Sequence, residues 1–133
     1  MFKYLCWLIL IGLFIIAFLI PKKQPTSFVN YKIINYQLEN KNRRLLVADN
    51  QQKWERGLMH VATMEAGIDG MIFIFPQKDW QSFWNKNTLM DLEVYWISGD
   101  RVVGKDFLPA AKGQETLTIV SPQKVDKVIE IVK

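Results

Sequence analysis

Cysteine and histidine are almost missing from this 133-residue chain: Cys6 and His60 are the single examples. An intrachain disulfide is therefore excluded, and so is a zinc site built from thiolates and imidazoles. Nucleophilic catalysis of the serine–histidine or cysteine–histidine kind needs a histidine partnered with its nucleophile. His60 reads instead as a loop or surface residue. There is no glycine-rich loop suited to phosphates, no Asn-x-Ser/Thr acceptor site, no internal repeat and no low-complexity tract. Basic charge is scarce outside the N-terminus. The formal net charge is +4, but setting aside Lys3, Lys22 and Lys23 leaves fourteen basic residues against thirteen acidic, or +1. A nucleic-acid binder needs a basic face to displace counterions from phosphates, so no nucleic-acid partner is expected. Nothing in the chain implies a cofactor or a metal. Met59, Met64, Met71 and Met90 could suit a soft cation such as Cu(I), although methionine is more commonly a filler of irregular core gaps.

What the chain does have is an uncharged apolar run from Tyr4 to Ile20. As a helix, Met1 to Ile20 would rise roughly 30 Å, about the thickness of a bilayer core. Pro21 would end that helix, with Lys22 and Lys23 at headgroup level, where anionic lipid favours them. The run predicts a transmembrane anchor over 1–21, with lipid contacted through 1–23. A cleaved signal peptide is the rival, but Phe18-Leu19-Ile20-Pro21 offers no small-x-small cleavage site. Lys3 on one flank and Lys22 and Lys23 on the other leave orientation close to a tie. Residues 22–30 read as a linker and 31–133 as one β-rich domain.

Within that domain the expected strands are Tyr31–Tyr36, Arg43–Ala48, Met71–Phe75, Gln81–Asn87, Leu92–Ile97, Arg101–Val103, Thr116–Val120 and Val128–Val132. Asp49 and Asn50 suit a helix N-cap, Trp54 and Leu58 share a face four residues apart, and Gly57 marks the helix end. Pro76 ends the Met71–Phe75 run. Ser98-Gly99-Asp100 is a hairpin-type turn. Short strands broken by Gly, Pro, Asn and Asp predict a mainly β fold, an antiparallel barrel or sandwich with one short helix.

The segments Glu55-Arg56-Gly57-Leu58-Met59, Gly70-Met71-Ile72-Phe73-Ile74-Phe75 and Ser82-Phe83-Trp84-Asn85-Lys86-Asn87-Thr88, followed by Leu92, form an ordered set. This set resembles the family called domain of unknown function 192. That family typically shows Arg-Gly-Leu-Met, Gly-Met-Leu-Phe-x-Phe and Phe-Trp-Met-Lys-Asn-Thr, then a Leu-Asp pair. The resemblance covers about Leu46 to Val103, with a C-terminal strand at Val128 to Ile131. Here Asn85 stands in place of the Met, and the pair is Leu92-Glu93. The resemblance implies a compact β-rich fold, often exported or membrane-tethered, which places the body outside the cytoplasm. It implies no established activity.

The polar residues that could carry chemistry are Arg56, Trp84, Lys86, Asn87, Asp91 and Glu93. A hairpin would bring Lys86 and Asn87 close to Asp91 and Glu93. Around a pocket, Lys86 would bind an anion and a carboxylate would act as base. Alternatively Lys86 pairs with a carboxylate, Asn87 bonds its turn and Trp84 packs the core. Arg56 either pairs with Glu55 or reaches the same hairpin. Three functions stay open. One is a membrane-anchored binding module with a groove near Trp84 and Lys86, open to a protein or small-molecule partner. Another is a small enzyme using Lys86 and Glu93, and the third is a structural envelope or assembly factor.

Overall fold

The computed structural model describes residues 28–113 and 115–133; the anchor expected over 1–21 lies outside the described residues. Among the described residues, no helix is long and apolar enough to cross a membrane. Phe28 falls within the expected linker, yet it is buried in the core, and its carbonyl accepts from the Tyr31 amide at 3.0 Å.

The chain runs β1 (Ile33–Leu38), β2 (Lys41–Ala48), α1 (Gln51–Arg56), β3 (Gly70–Asp79), β4 (Ser82–Trp84), β5 (Leu92–Ser98), β6 (Arg101–Leu108), β7 (Thr118–Val120) and β8 (Val125–Val132). Six strands form one sheet in the order β1-β2-β3-β8-β5-β6, while β4 and β7 pair as a separate ribbon. The expected antiparallel barrel or sandwich is corrected here. The large sheet is mixed and is not a closed barrel, because β2 and β3 run parallel and the outer strands β1 and β6 do not pair with each other. A parallel pair needs a long crossover, and the stretch that carries α1 supplies it.

Local chemistry explains the boundaries. Glu39 and Asn40 both have positive φ, the backbone of a turn whose twist matches the β1–β2 hairpin. Asn50 caps α1, its Oδ1 accepting the Lys53 amide at 3.0 Å. Gly57, at φ +48°, closes it. Pro76 does not end β3, which continues to Asp79. Proline lacks only the donor of a ladder bond, and the β3–β8 register slips between Ile74 and Asp79, so no regular ladder is demanded there. The strand expected over Gln81–Asn87 is shorter, because the chain turns at Asn85, whose carbonyl accepts the Thr88 amide at 2.9 Å.

Strand alternation sorts the apolar residues onto two faces. One carries Leu46, Met71, Phe73, Val94, Trp96 and Val128, under α1 and the β4–β7 ribbon. The other carries Leu45, Val47, Ile72, Tyr95, Ile129 and Ile131. Both faces being apolar explains the unbroken runs in β3 and β8. Met71 and Met90 are buried among these side chains as core fillers.

The tightest seam lies between β3 and β8. Gly70 faces Ile131 in register, and a Cβ at Gly70 would land on the Glu130 carbonyl oxygen. Gly70→Ala is expected to cost more than about 3 kcal/mol, because backbone rather than a flexible side chain must move. Urea unfolding checks this, and a loss under about 1 kcal/mol would show that the seam can open.

Candidate functional site

A cleft of about 290 Å³ opens on the face covered by α1 and the ribbon. One wall is the end of α1 and the turn after it, from Trp54 to Met59. The other is the ribbon side, from Gln81 to Trp84. Thr88, together with Phe73 and Phe75 of β3 and Glu130 of β8, completes the lining. Each wall is held by identifiable contacts. The Trp54 indole N–H donates to the Ala48 carbonyl at 2.9 Å, and its ring tilts against Phe75 at 5.2 Å. On the ribbon, Phe83 turns inward and meets Phe73 edge-on at 4.8 Å and Trp96 at 5.7 Å. The ribbon backbone is tied down where the Gln81 amide donates to Ser121 Oγ at 3.0 Å. The two walls are joined by a bridge between Met59 and Thr88 and by the His60 amide, which donates to the Asn87 carbonyl at 2.8 Å.

Asn85 anchors the turn beneath this second wall. It is buried, its amide nitrogen donates to the Pro109 carbonyl at 2.9 Å, and its Oδ1 accepts the Leu117 amide at 2.8 Å. A methionine, which the resembling family carries at this place, could make neither bond as well. Asn85 is thus a fastening residue.

Glu130 is the residue that sequence reasoning missed. It is only 4% exposed, in register with Met71 on β3 and Val94 on β5. Its Oε2 is buried with no hydrogen-bond partner. Burial pushes the carboxyl up from the ordinary glutamate range to about 8, because the charged form is penalised where water is excluded. A signal was present. Glu130 is a single acid inside Val128-Ile129-Glu130-Ile131-Val132, and in a central strand such a residue must face one core or the other.

The residues picked out from the sequence separate into three places. Arg56 and Trp84 line the cleft. The Arg56 guanidinium lies 5.2 Å over the Phe28 ring, and Glu55 accepts from Gln51 Nε2 at 2.9 Å, so each has a partner other than the one expected. Lys86 is exposed and does not line the cleft; its ammonium lies 5.2 Å over the Trp84 ring. Asn87 serves its turn, with φ +53°. Asp91 is exposed and accepts the Ala110 amide at 2.8 Å. Glu93 corrects the expectation of a Lys86–Glu93 pocket. It alternates with Val94 and so projects with Tyr95 from the opposite face of the sheet.

There Glu93 lines a second hollow of about 320 Å³ with Lys105 and Lys133. It pairs with Lys105 at 3.0 Å and Lys133 at 3.3 Å, and accepts from the Tyr95 hydroxyl at 3.1 Å. The Lys105 ammonium, above all, holds its carboxyl below the usual range. Here the Glu93 carboxylate is fully engaged, although the Nε of Arg43, which lines the same hollow, is buried without a partner, as is Glu130 Oε2 in the cleft.

The Glu130 shift fixes a pH dependence. An acid whose carboxyl is raised on folding takes up a proton as the chain folds, so stability is full below its unfolded value and falls as pH rises towards its folded one. Asp49 and Glu93, both held low by lysines, titrate beneath this window. Stability is expected to decline by something on the order of 3 kcal/mol between about pH 5 and pH 8. Glu130→Gln should abolish the decline. Urea unfolding at the two pH values measures it, and a flat wild-type profile would contradict the assignment.

Comparison with known proteins agrees with the sheet and the motifs. No curated protein matches the chain significantly. A solved protein of unknown function from Novosphingobium aromaticivorans DSM 12444 superposes with a TM-score of 0.64 at 20% identity, over 82% of this chain and 78% of that one. A candidate transcription regulator from Sinorhizobium meliloti 1021 superposes with a TM-score of 0.60 at 22% identity, over 82% of this chain and 84% of that one. At such identities the likeness is one of fold. The family model described as "Uncharacterized ACR" matches residues 33–133, which is most of the chain. This chain therefore belongs to the domain of unknown function 192 family.

Proposed function

We propose that this chain is a membrane-tethered binding module that takes a small molecule in the cleft beside Glu130. The observation that carries this reading is that Glu130, one of whose carboxyl oxygens is buried without a partner, lines a cleft walled by Trp54, Phe75, Phe83 and Trp84. Leaving such a group unpaired costs about 1–3 kcal/mol. A ligand that supplies the missing hydrogen bond recovers that energy, and its apolar body displaces water from the aromatic walls. The cleft is near the lower end of pocket sizes, so the ligand is small. The tether rests on the uncharged run from Tyr4 to Ile20 and on the lysines beyond Pro21. The extracytoplasmic placement of the body rests on the habit of the resembling family. Enzymatic use of Lys86 with Glu93 is not favoured, since the sheet stands between them.

Two experiments test the two halves. In the full chain held in lipid nanodiscs, small aromatic fragments should shift the indole N–H resonances of Trp54 and Trp84 saturably. Trp80, which is exposed and does not line the cleft, should stay still. Equal shifts at Trp80, or none anywhere, would remove the cleft as the site. For the tether, the chain should stay with membranes through alkaline extraction, and a mature soluble form beginning after Pro21 would disprove it.

A further inference from the structure

The chemistry around the cleft narrows the ligand further. The charged groups that share the cleft with Glu130 are Glu55 and Arg56, both exposed on α1. Glu55 is engaged by Gln51, and Arg56 lies over Phe28. On the flanking strands Glu130 faces Met71 and Val94 in register, and the ribbon side of the cleft offers Gln81, Ser82 and Thr88. No cation of the described chain is therefore paired with this carboxyl. An incoming anion would lose its water beside a carboxyl that burial already holds in its neutral form, with no cation paired there to offset the charge. An incoming cation would meet a lining carboxyl that can ionise to pair with it and that no lysine or arginine of the described chain has claimed.

The walls point the same way. The faces of aromatic rings carry negative potential and attract cations. Two lining residues already take part in such contacts: Arg56 lies 5.2 Å over Phe28, and Lys86 reaches 5.2 Å over the ring of Trp84. Trp54, Phe75, Phe83 and Trp84 then offer aromatic surface to whatever enters.

Building on the cleft reading above, we propose that the ligand is an amine: a protonated primary or secondary ammonium group that donates to the Glu130 carboxylate, borne on an apolar or aromatic body that lies against Trp54, Phe83 and Trp84. The ammonium supplies both the missing donor and the missing charge. Its hydrocarbon part fills the aromatic space. Because the ion pair requires the carboxylate, a Glu130 that was protonated in the empty cleft gives up its proton on binding.

Three matched probes test the class: phenethylamine, phenylacetamide and phenylacetate, titrated into the full chain in nanodiscs and followed at the Trp54 and Trp84 indole N–H signals. Phenethylamine should bind at least tenfold more tightly than phenylacetamide, phenylacetate should bind weakest, and calorimetry in two buffers near pH 7 should show proton release with the amine alone. Glu130→Gln, a near-isosteric change, should erase the preference for the amine while phenylacetamide still binds. Trp84→Ala, at an exposed position, should weaken the amine more than the amide. If phenylacetamide binds as tightly as phenethylamine, or Glu130→Gln leaves amine affinity unchanged, the amine class is wrong and the cleft reading survives. If none of the probes moves Trp54 or Trp84, the cleft reading falls and takes this inference with it.

Discussion

The placement of β8 between β3 and β5 is the constraint on which the rest of the structure depends. It is the last strand of the domain, yet it pairs on both edges and is apolar towards both faces of the sheet. Without it, β1 to β3 and β5 to β6 would be two unrelated pieces. The ladder it makes joins residues some sixty positions apart, such as Gly70 and Ile131. Contacts this distant in sequence are entropically slow to form. They must be repaid by burial on both sides of the strand, which Val128, Ile129 and Ile131 provide.

The same placement creates the chemistry. A strand buried on both faces has no solvated side on which to set a charged residue, so Glu130 is carried into the layer between the sheet and its covering elements. The contrast with Glu93 is instructive. Glu93 emerges from the other face near the sheet margin, where Lys105 and Lys133 reach it and water screens the rest. It is an ordinary stabilised carboxylate. Glu130 has neither lysine nor solvent, and its carboxyl is raised as a result. Two glutamates on adjacent strands thus acquire opposite proton affinities from nothing more than the face each projects from.

Much of the local structure was legible beforehand because it is governed by neighbours in the chain. Asn50 as a cap, Gly57 as a stop, the Gly99-Asp100 turn and the strand character of 92–97 and 128–132 all follow from backbone conformation and short-range periodicity. The family motifs were readable too, since they lie in fixed order from Arg56 to Leu92. Of the cleft, Arg56 and Trp84 were singled out, but Lys86, Asn87, Asp91 and Glu93 serve turns, ion pairs or the outer surface. Asn85 looked like a departure from a pattern, and only its contacts with Pro109 and Leu117 reveal it as a fastening point.

What the sequence determined by itself is the family, the β-rich class, the helix caps and the apolar run at the N-terminus, because each depends on residues near one another or on composition. Strand order was decided in three dimensions: the parallel β2–β3 pair, the open mixed sheet and the central seat of β8 depend on which distant strands share hydrogen bonds. The identity of the unpaired carboxyl was decided there as well. Whether an acid lies in water, beside a lysine or alone among aromatic rings is a property of its surroundings, and those surroundings come from segments far apart in the chain.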